Sequence, residues 1–495
     1  MLCGWALVAI YAALAPVSYA IAARSPFGVV QEHEVRALER VVDALPLGDA
    51  RAPLRRAAAG EGAFRSAAAR GAAYGGAMAA ATLVFCAALL ALARDREAVD
   101  DVALRTLVRF AWAFGAVNVL AYPMFTQDFW LSVAWGRMWA DGVNPYHHAM
   151  PASALAGLPL EEAGTQMTYG PLWALLVGTL ERVVPHRAPL EFGAHKAVLL
   201  LAWGTGLHAL ARLHAHRSPA LRAGAIALLG WAPMSVHFTV AEGHNDALMT
   251  CGLLLWLEAT VRARAAWAPP AIVASALFKY VTAPLVALEI AALAAPRERR
   301  RRATAILASG VGALAVFALF WDDAPIFGST VAMQGWHLLT PADAVRTAVD
   351  QVRARPIVDA LVLAAIAWGA WPGLRAGLRA WESARSADAP LAGPQLAVAA
   401  EAALAGLLAA ACVAVGHTWP WFLLWPLAAA AAVPRSRLAA WSLPIFLVAP
   451  FFHLLWAMGE SWDSAGRAGV VLWTAVALVA WPAHRWLRPA LAPAE

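Results

Sequence analysis

Residues 297–320 read RERRRRATAILASGVGALAVFALF, a tight cluster of arginines followed at once by an apolar run. A helix needs about 20 mostly apolar residues to cross a bilayer, so the run over 303–321 predicts a membrane span. Arginine and lysine concentrate in cytoplasmic loops, and the cluster therefore places the start of this span on the cytoplasmic side. This stretch predicts helices in a membrane and supplies the reference from which the other spans are oriented.

The composition of the whole chain supports the same class of fold. Of the 495 residues, 61% are hydrophobic and 14% are charged, and the mean hydropathy is +0.60. Soluble domains carry about 25% charged residues, so a soluble protein this apolar could not cover its own surface. The net charge of +6 is spread over short loops, which argues against nucleic acid as a partner. The four cysteines lie in apolar runs and predict neither disulfides nor a metal site.

Eleven apolar runs have lengths suited to membrane spans. They cover 4–23, 73–94, 105–125, 194–213, 220–240, 246–261, 303–321, 356–374, 396–416, 438–457 and 467–484. Three shorter runs cover 268–279, 282–295 and 419–433. Together they predict an all-α polytopic protein of about fourteen transmembrane helices, with both termini cytoplasmic, in a bacterial-type inner or plasma membrane. The first run resembles a signal peptide but lacks a positive start, so we expect it to be retained.

The two short runs before the arginine cluster are predicted to form one helical hairpin. Only a hairpin that enters and leaves on the same side keeps Arg262 and Arg264 cytoplasmic. We expect its helix to break between Lys279 and Pro284, because proline removes a backbone donor. A non-helical tip at that depth suits a polar cavity rather than lipid.

Two further segments need separate treatment. Residues 169–185 are apolar but short and carry Glu181 and Arg182, so we predict an amphipathic juxtamembrane helix on the outer face. The loop over 24–72 holds eight arginines although the count of spans puts it outside, and its orientation stays open.

With this topology, the polar motifs share the extracytoplasmic face. They are Asp128 after the third span, Gly-Val-Asn-Pro-Tyr at 142–146, Tyr-Gly-Pro-Leu at 169–172, Glu-Gly-His-Asn-Asp at 242–246, Lys-Tyr at 279–280 and His-Thr-Trp at 417–419. Ionisable groups at a membrane are costly, and they mark functional sites. The motifs therefore predict one site on the outer face.

This ordered set resembles the polyprenyl-phosphate-sugar-dependent glycosyltransferases of the GT-C class. Within that class it is most similar to the bacterial mannosyltransferases related to those of actinobacterial glycolipid and lipomannan synthesis. The resemblance covers 105–433, which implies a GT-C-like catalytic core between N-terminal helices with an arginine-rich loop (1–104) and C-terminal transmembrane helices (434–495). Two departures stand out: two extra spans precede the catalytic loop, and Tyr-Gly-Pro at 169–171 replaces the commoner Tyr-Pro-Pro.

The resemblance implies that a sugar, mannose for this subgroup, moves with inversion from a polyprenyl-phosphate donor to a hydroxyl of a lipid-linked or glycan acceptor. The acceptor hydroxyl needs a base, and the departing phosphate needs positive charge. Asp128 is the candidate base; the alternative is that it caps the following helix. Lys279 is the candidate phosphate ligand, with Arg137 as a rival, and the alternative for Lys279 is snorkelling to the interface.

The remaining candidate substrate-binding residues are Asn144, Tyr146, Tyr169, Glu242, His244, Asn245, Asp246, His417 and Trp419. Asn245 or Asp246 could instead cap the next span, and the tryptophans are also expected in an interfacial belt. No cofactor is expected. A divalent metal on His244 and Asp246 is the less favoured alternative, because two ligands make an incomplete site.

A transporter or flippase of lipid-linked substrates is the competing function, and an inactive scaffold subunit is a third. Transporters show paired broken helices in corresponding halves of the chain. This chain has one broken hairpin without a second copy, and its polar residues gather on one face. That asymmetry favours an enzyme.

Overall fold

The computed structural model describes residues 1–24, 35–36, 39–40, 43–44, 48–160, 166–294, 298–322, 326, 338–349, 354–386, 392–458 and 465–491. Arg297 and, within the loop over 24–72, residues 25–34, 37–38, 41–42 and 45–47 lie outside the described residues. Within them the secondary-structure elements are helices, and β-pairing amounts to one isolated bridge between Leu338 and His417. The predicted all-α class is confirmed.

The main α-helices up to residue 278 lie within the described residues. They are α1 (Leu2–Ala22), α2 (Arg51–Ala58), α3 (Ala67–Arg94), α4 (Asp101–Asn118), α5 (Asp128–Ala140), α6 (Ala152–Leu155), α7 (Pro171–Val183), α8 (Ala188–Leu213), α9 (Pro219–Gly230), α10 (Pro233–Val236), α11 (Asp246–Val261) and α12 (Ala268–Phe278). A π-helical turn over His237–Ala241 extends α10 toward α11.

The described part of the chain after residue 278 continues in the same way. Its helices are α13 (Val286–Ala291), α14 (Arg299–Ala318), α15 (Pro341–Val349), α16 (Arg355–Ser386), α17 (Ala392–Ala409), α18 (Leu424–Ala432), α19 (Arg437–Val448), α20 (Leu454–Ala457), α21 (Ala465–Pro482) and α22 (Arg488–Leu491). Shorter 3-10 segments over Tyr280–Leu285 and Pro420–Leu423 precede α13 and α18.

Seven helices in the described ranges are long and apolar enough to cross a membrane. They cover Leu2–Ala22, Ala67–Arg94, Arg299–Ala318, Arg355–Ser383, Gly393–Ala414, Arg437–Ala457 and Gly466–Leu487. Helices α9 and α10 with its π-helical turn form an eighth span if their 47° bend is counted as one broken helix. The chain is therefore an integral membrane protein, while the count of about fourteen spans and the outer position of α7 remain predictions.

The third predicted span ends earlier than expected. The run over 105–125 was expected to be helical throughout, but α4 stops at Asn118 and Asp128 begins a separate helix. Pro123 cannot continue a helical hydrogen-bond ladder. The backbone N–H groups of Met124 and Phe125 donate to Glu242 instead of to a preceding turn. The backbone donors of this irregular segment are thus bonded by a side chain from a distant part of the chain.

The predicted break in the hairpin is present. Helix α12 ends at Phe278, Lys279 has an extended backbone with φ −154° and ψ 120°, and a 3-10 segment containing Pro284 follows. Helix α12 also packs against α7 and α11. This packing brings the hairpin tip to the start of both helices.

Candidate active site

Asp128 occupies the first turn of α5 and points to partners from two other segments. One carboxylate oxygen, Oδ2, accepts a hydrogen bond from the Tyr169 hydroxyl at 2.8 Å. The same oxygen lies 3.6 Å from Nδ1 of His244. The side chain keeps 28% of its surface exposed. It does not cap the helix, because Thr126 accepts the Asp128 N–H and no side-chain capping bond forms, so the capping alternative is wrong.

The Gly-Val-Asn-Pro-Tyr motif at 142–146 supports the backbone of Tyr169. The hydroxyl of Tyr146 donates to the carbonyl of Tyr169 at 2.8 Å. The side-chain oxygen of Asn144 accepts the N–H of Tyr146, and its amide donates to the carbonyl of Phe320 at 2.8 Å. Asn144 and Tyr146, expected to bind substrate, are therefore engaged in shaping the loop that supports Tyr169.

Lys279 is the second charged residue that approaches Tyr169. Its ammonium donates to both oxygens of Asp246, at 2.8 and 3.1 Å, and lies 5.3 Å from the centre of the Tyr169 ring. The rings of Phe422 and Trp425 approach the same ammonium at 4.5 and 5.1 Å. Only 12% of the Lys279 side chain is exposed, so it pairs with a buried carboxylate instead of snorkelling.

Asp246 begins α11 and is fully buried. Besides Lys279, it accepts a hydrogen bond from the indole N–H of Trp425. Neither Asn245 nor Asp246 makes a side-chain capping bond, so the capping alternative is wrong here too. The Lys279–Asp246 pair is instead a buried, aromatic-lined ion pair beside Tyr169.

His244 and Asn245 bring buried polar atoms that have no hydrogen-bond partner. The His244 ring stacks on Trp421 with centroids 4.0 Å apart, and neither of its nitrogens is hydrogen-bonded. Both ends of the Asn245 amide are likewise unpaired. Leaving a buried polar group unpaired costs about 1–3 kcal/mol, so such groups call for a ligand or a functional explanation.

The environment keeps Asp128 ionised. Burial raises its pKa, but the close approach of His244, the Tyr169 hydroxyl and the charge of Lys279 together leave the pKa below its usual value. For His244, burial outweighs the two neighbouring carboxylates and lowers the pKa. At neutral pH the site therefore holds a carboxylate that can accept a proton beside a neutral imidazole.

Glu242 supports the site from outside the reacting groups. Its carboxylate accepts the N–H groups of Met124 at 3.1 Å and Phe125 at 3.0 Å, which anchors the segment leading to Asp128. Expected to bind substrate, it is fully buried and acts as a positioning residue. The next residue, Gly243, has φ +80°, and a Cβ there would lie 2.4 Å from the Phe129 ring, so glycine permits the close approach of this loop to α5.

Sequence reasoning missed Lys196. Its buried ammonium donates to the carbonyls of Val240 and Ala241 and lies beside the rings of Phe129 and Phe192, at 5.3 and 5.2 Å from their centres. The sequence did contain a signal for Lys196, because the chain has only two lysines and the other, Lys279, lies in the site. Lys196 holds the loop that presents His244.

Three predicted residues lie apart from the Asp128 carboxylate. Arg137 is nine residues further along α5, about 13 Å away, and both of its contacts to Glu191 are 2.7 Å. That ion pair occupies the guanidinium that was expected as a rival phosphate ligand. His417 is buried against Trp419, which stacks on Trp421 at 5.1 Å, and Trp421 in turn stacks on His244.

Comparison with known proteins identifies one related family. A family model described as MptA_B family, alpha-(1->6)-mannopyranosyltransferase, N-terminal domain, matches residues 44–297, just over half of the chain. The matched range contains Asp128, Tyr169, Asp246 and Lys279. No curated protein and no solved structure matches the chain.

Proposed function

Because the chain belongs to the MptA_B family of alpha-(1->6)-mannopyranosyltransferases, we propose that it is an inverting enzyme that moves mannose from a polyprenyl-phosphate donor to a hydroxyl of a lipid-linked or glycan acceptor. Mannosyl transfer itself follows from the family. The donor, the inversion, the GT-C core over 105–433 and the extracytoplasmic site belong to the proposal.

The observation that carries the proposal is the convergence of Asp128 and Lys279 on one tyrosine, Tyr169. The hydroxyl of Tyr169 bonds Asp128, and its ring lies 5.3 Å from the ammonium of Lys279. A base for the acceptor hydroxyl and a cation for the leaving phosphate are the two groups that such a transfer requires. Both side chains remain partly exposed, which leaves room for substrate.

Asp128 takes the proton of the acceptor hydroxyl as that oxygen attacks the anomeric carbon. Among the described residues, the other two carboxylates of the adjoining loop are occupied, Asp246 by Lys279 and Trp425 and Glu242 by the backbone N–H groups of Met124 and Phe125. With one available carboxylate, direct displacement of the phosphate by the acceptor is favoured over a covalent sugar–enzyme intermediate, and a single displacement inverts the anomeric centre.

Lys279 stabilises the negative charge that develops on the departing lipid phosphate. Its two bonds to Asp246 use at most two of the three donors of an ammonium. His244 and Asn245 supply further donors that are already desolvated and aimed by packing, which is the arrangement that favours a charged transition state. Trp421, stacked on His244, fixes the plane of that imidazole.

The extracytoplasmic placement rests on charge. Arg299, Arg300, Arg301 and Arg302 begin α14 and are expected to be cytoplasmic. Counting the spans predicted from the sequence from that point, with 246–261 as one of them, puts the loops with Asp128 and His244 on the opposite side. In this arrangement the donor keeps its polyprenyl chain in the outer leaflet while its phosphate reaches Lys279.

The substitution Asp128→Asn tests the proposal. Asparagine keeps the shape and can still accept the Tyr169 hydrogen bond, but it cannot take a proton. We expect mannosyl transfer from polyprenyl-phosphate mannose in isolated membranes to fall by about 10²–10⁴-fold, with an unchanged melting temperature. Asp141→Asn, at the exposed end of the same helix, is the matched control and should keep full activity.

Full activity of Asp128→Asn would remove Asp128 as the base. Equal transfer in membranes depleted of polyprenyl phosphate but supplied with GDP-mannose would refute the lipid-linked donor. Comparing the anomeric configuration of donor and product by NMR tests inversion separately.

A further inference from the structure

A second cluster of ionisable side chains lies at the far end of α5, and the proposed reaction does not use it. Glu181 on α7 and Glu191 on α8 are buried, and His186 stands between them on the connecting loop. One ligand atom from each of these three residues lies within 4.8 Å of the others.

The cluster carries one more negative charge than its buried partners neutralise. Arg137 forms two 2.7 Å bonds to Glu191 and is the cation buried with the two carboxylates. His195 contacts Oε1 of Glu181 at 2.7 Å, but burial favours its neutral form, so it does not cancel the second negative charge. An uncompensated buried carboxylate is costly, so a proton or a cation is needed.

One atom of the cluster has no partner. Oε2 of Glu181 is buried and makes no hydrogen bond, although Oε1 is held by His195. Nε2 of His186 lies 4.0 Å away, where it contacts the backbone carbonyl of Glu181 at 3.1 Å and would exchange this contact for a metal ion. A buried carboxylate oxygen with an unused lone pair, beside an imidazole, provides two of the ligands that a metal site needs.

We propose that Glu181, His186 and Glu191 bind a divalent cation, for which Zn²⁺ is the best match, and that this ion ties α7 to α8. Imidazole with carboxylates is a ligand set that zinc accepts, and three protein ligands leave one position for water. His195 then orients the Glu181 carboxylate through its other oxygen, as the outer partners of metal ligands commonly do.

The geometry also shows which residue must move for the three ligands to close around the ion. Ligand atoms around tetrahedral zinc lie roughly 3.3 Å apart, so the 4.8 Å spread must contract. His186 is 44% exposed, and it sits on the short loop between α7 and α8, so its movement closes the site. The two glutamates stay fixed by Arg137 and His195.

The rival occupant is a proton shared by the two carboxylates. Burial and the nearby carboxylate of Glu191 raise the pKa of Glu181 to about 9 despite the opposing charge of Arg137. A protonated Glu181 would remove the excess charge without any metal. The two states differ in metal content, and a direct measurement separates them.

The test uses the full chain, free of any histidine tag, in detergent or nanodiscs. After treatment with a chelator, Zn²⁺ is added back, and metal content and thermal unfolding are measured. We expect about one Zn²⁺ per chain and a melting temperature that rises with free Zn²⁺, because an ion that binds only the folded state stabilises it. His186→Ala should weaken binding by at least about tenfold.

Two further variants complete the design. His148→Ala removes a loop histidine that is 56% exposed and outside the cluster, and it should bind Zn²⁺ as the unchanged protein does. Glu181→Gln removes the excess charge and should abolish binding while leaving the metal-free protein folded. Stoichiometric zinc that is insensitive to His186→Ala, or no zinc in the unchanged protein, overturns the proposal.

Discussion

Tyr169 contacts both charged groups of the proposed reaction, and its hydroxyl lowers the pKa of Asp128. Tyr169→Phe removes this hydrogen bond and should raise that pKa. Because the base must be ionised, activity is lost as pH falls through its pKa, and a higher pKa moves this loss to higher pH. We expect the acid limb of the pH–rate profile to shift upward, with about a tenfold loss or less at neutral pH.

Tyr146→Phe is the matched control. It also deletes one phenol hydroxyl, but that hydroxyl donates to the backbone of Tyr169 and does not touch Asp128. Its acid limb should stay in place even if its rate falls. An unshifted limb in Tyr169→Phe would mean that Asp128 does not control the pH dependence.

At the scale of single residues, sequence alone located the groups that meet at Tyr169. Asp128, Asp246 and Lys279 stand out because charge is rare in an apolar chain. What each side chain bonds was not predictable, since Trp425 joins Asp246 from 179 residues away. With 24 tryptophans in the chain, no pattern singled out that one.

Among the elements, the junction between α7 and the hairpin tip depends on Gly170. Its N–H donates to the carbonyl of Phe278 at 3.1 Å, and a Cβ would lie 2.0 Å from the carbonyl oxygen of Leu277. This contact accounts for Tyr-Gly-Pro at 169–171: proline at 170 would lack the N–H, and any side chain there would push the two backbones apart.

Gly170→Ala should therefore separate Tyr169 from Lys279. Its φ of −70° suits alanine, so the cost is the clash alone, about 1–3 kcal/mol. We expect a lower melting temperature and a greater loss of mannosyl transfer than stability explains. Gly406→Ala, which adds a methyl group with no neighbour within 4 Å, is the control and should be neutral or slightly stabilising. Equal behaviour of the two variants would refute the junction.

Element boundaries were predictable where the local signal was strong. Helix α11 covers the predicted 246–261, and the hairpin breaks at Lys279 as expected. The predicted end of the helix over 105–125 was wrong, because the apolar residues continue past Asn118 although the helix does not. Glu242, more than a hundred residues later, decides that boundary by taking the backbone donors, and no local pattern records this.

For the whole molecule, the membrane class followed from composition, but the number of spans did not. Helix α11 has 16 residues, fewer than the about 20 that a span needs, and α8 interrupts its apolar run with Glu191 and Lys196. Broken and charged helices gather around the site because they carry its polar groups. Hydropathy is least informative where the function resides.

The sidedness of the whole molecule can be tested with two single cysteines, placed in a chain whose four native cysteines are replaced. Asp141→Cys lies beyond the active-site helix and Arg300→Cys lies in the basic cluster, and both positions are exposed. A maleimide that cannot cross membranes should label position 141 in intact cells and position 300 only after permeabilisation. Arg217→Cys, in another arginine-bearing loop, should behave like position 300. The reverse pattern would put Asp128 on the cytoplasmic side, where a donor held in the outer leaflet could not reach it.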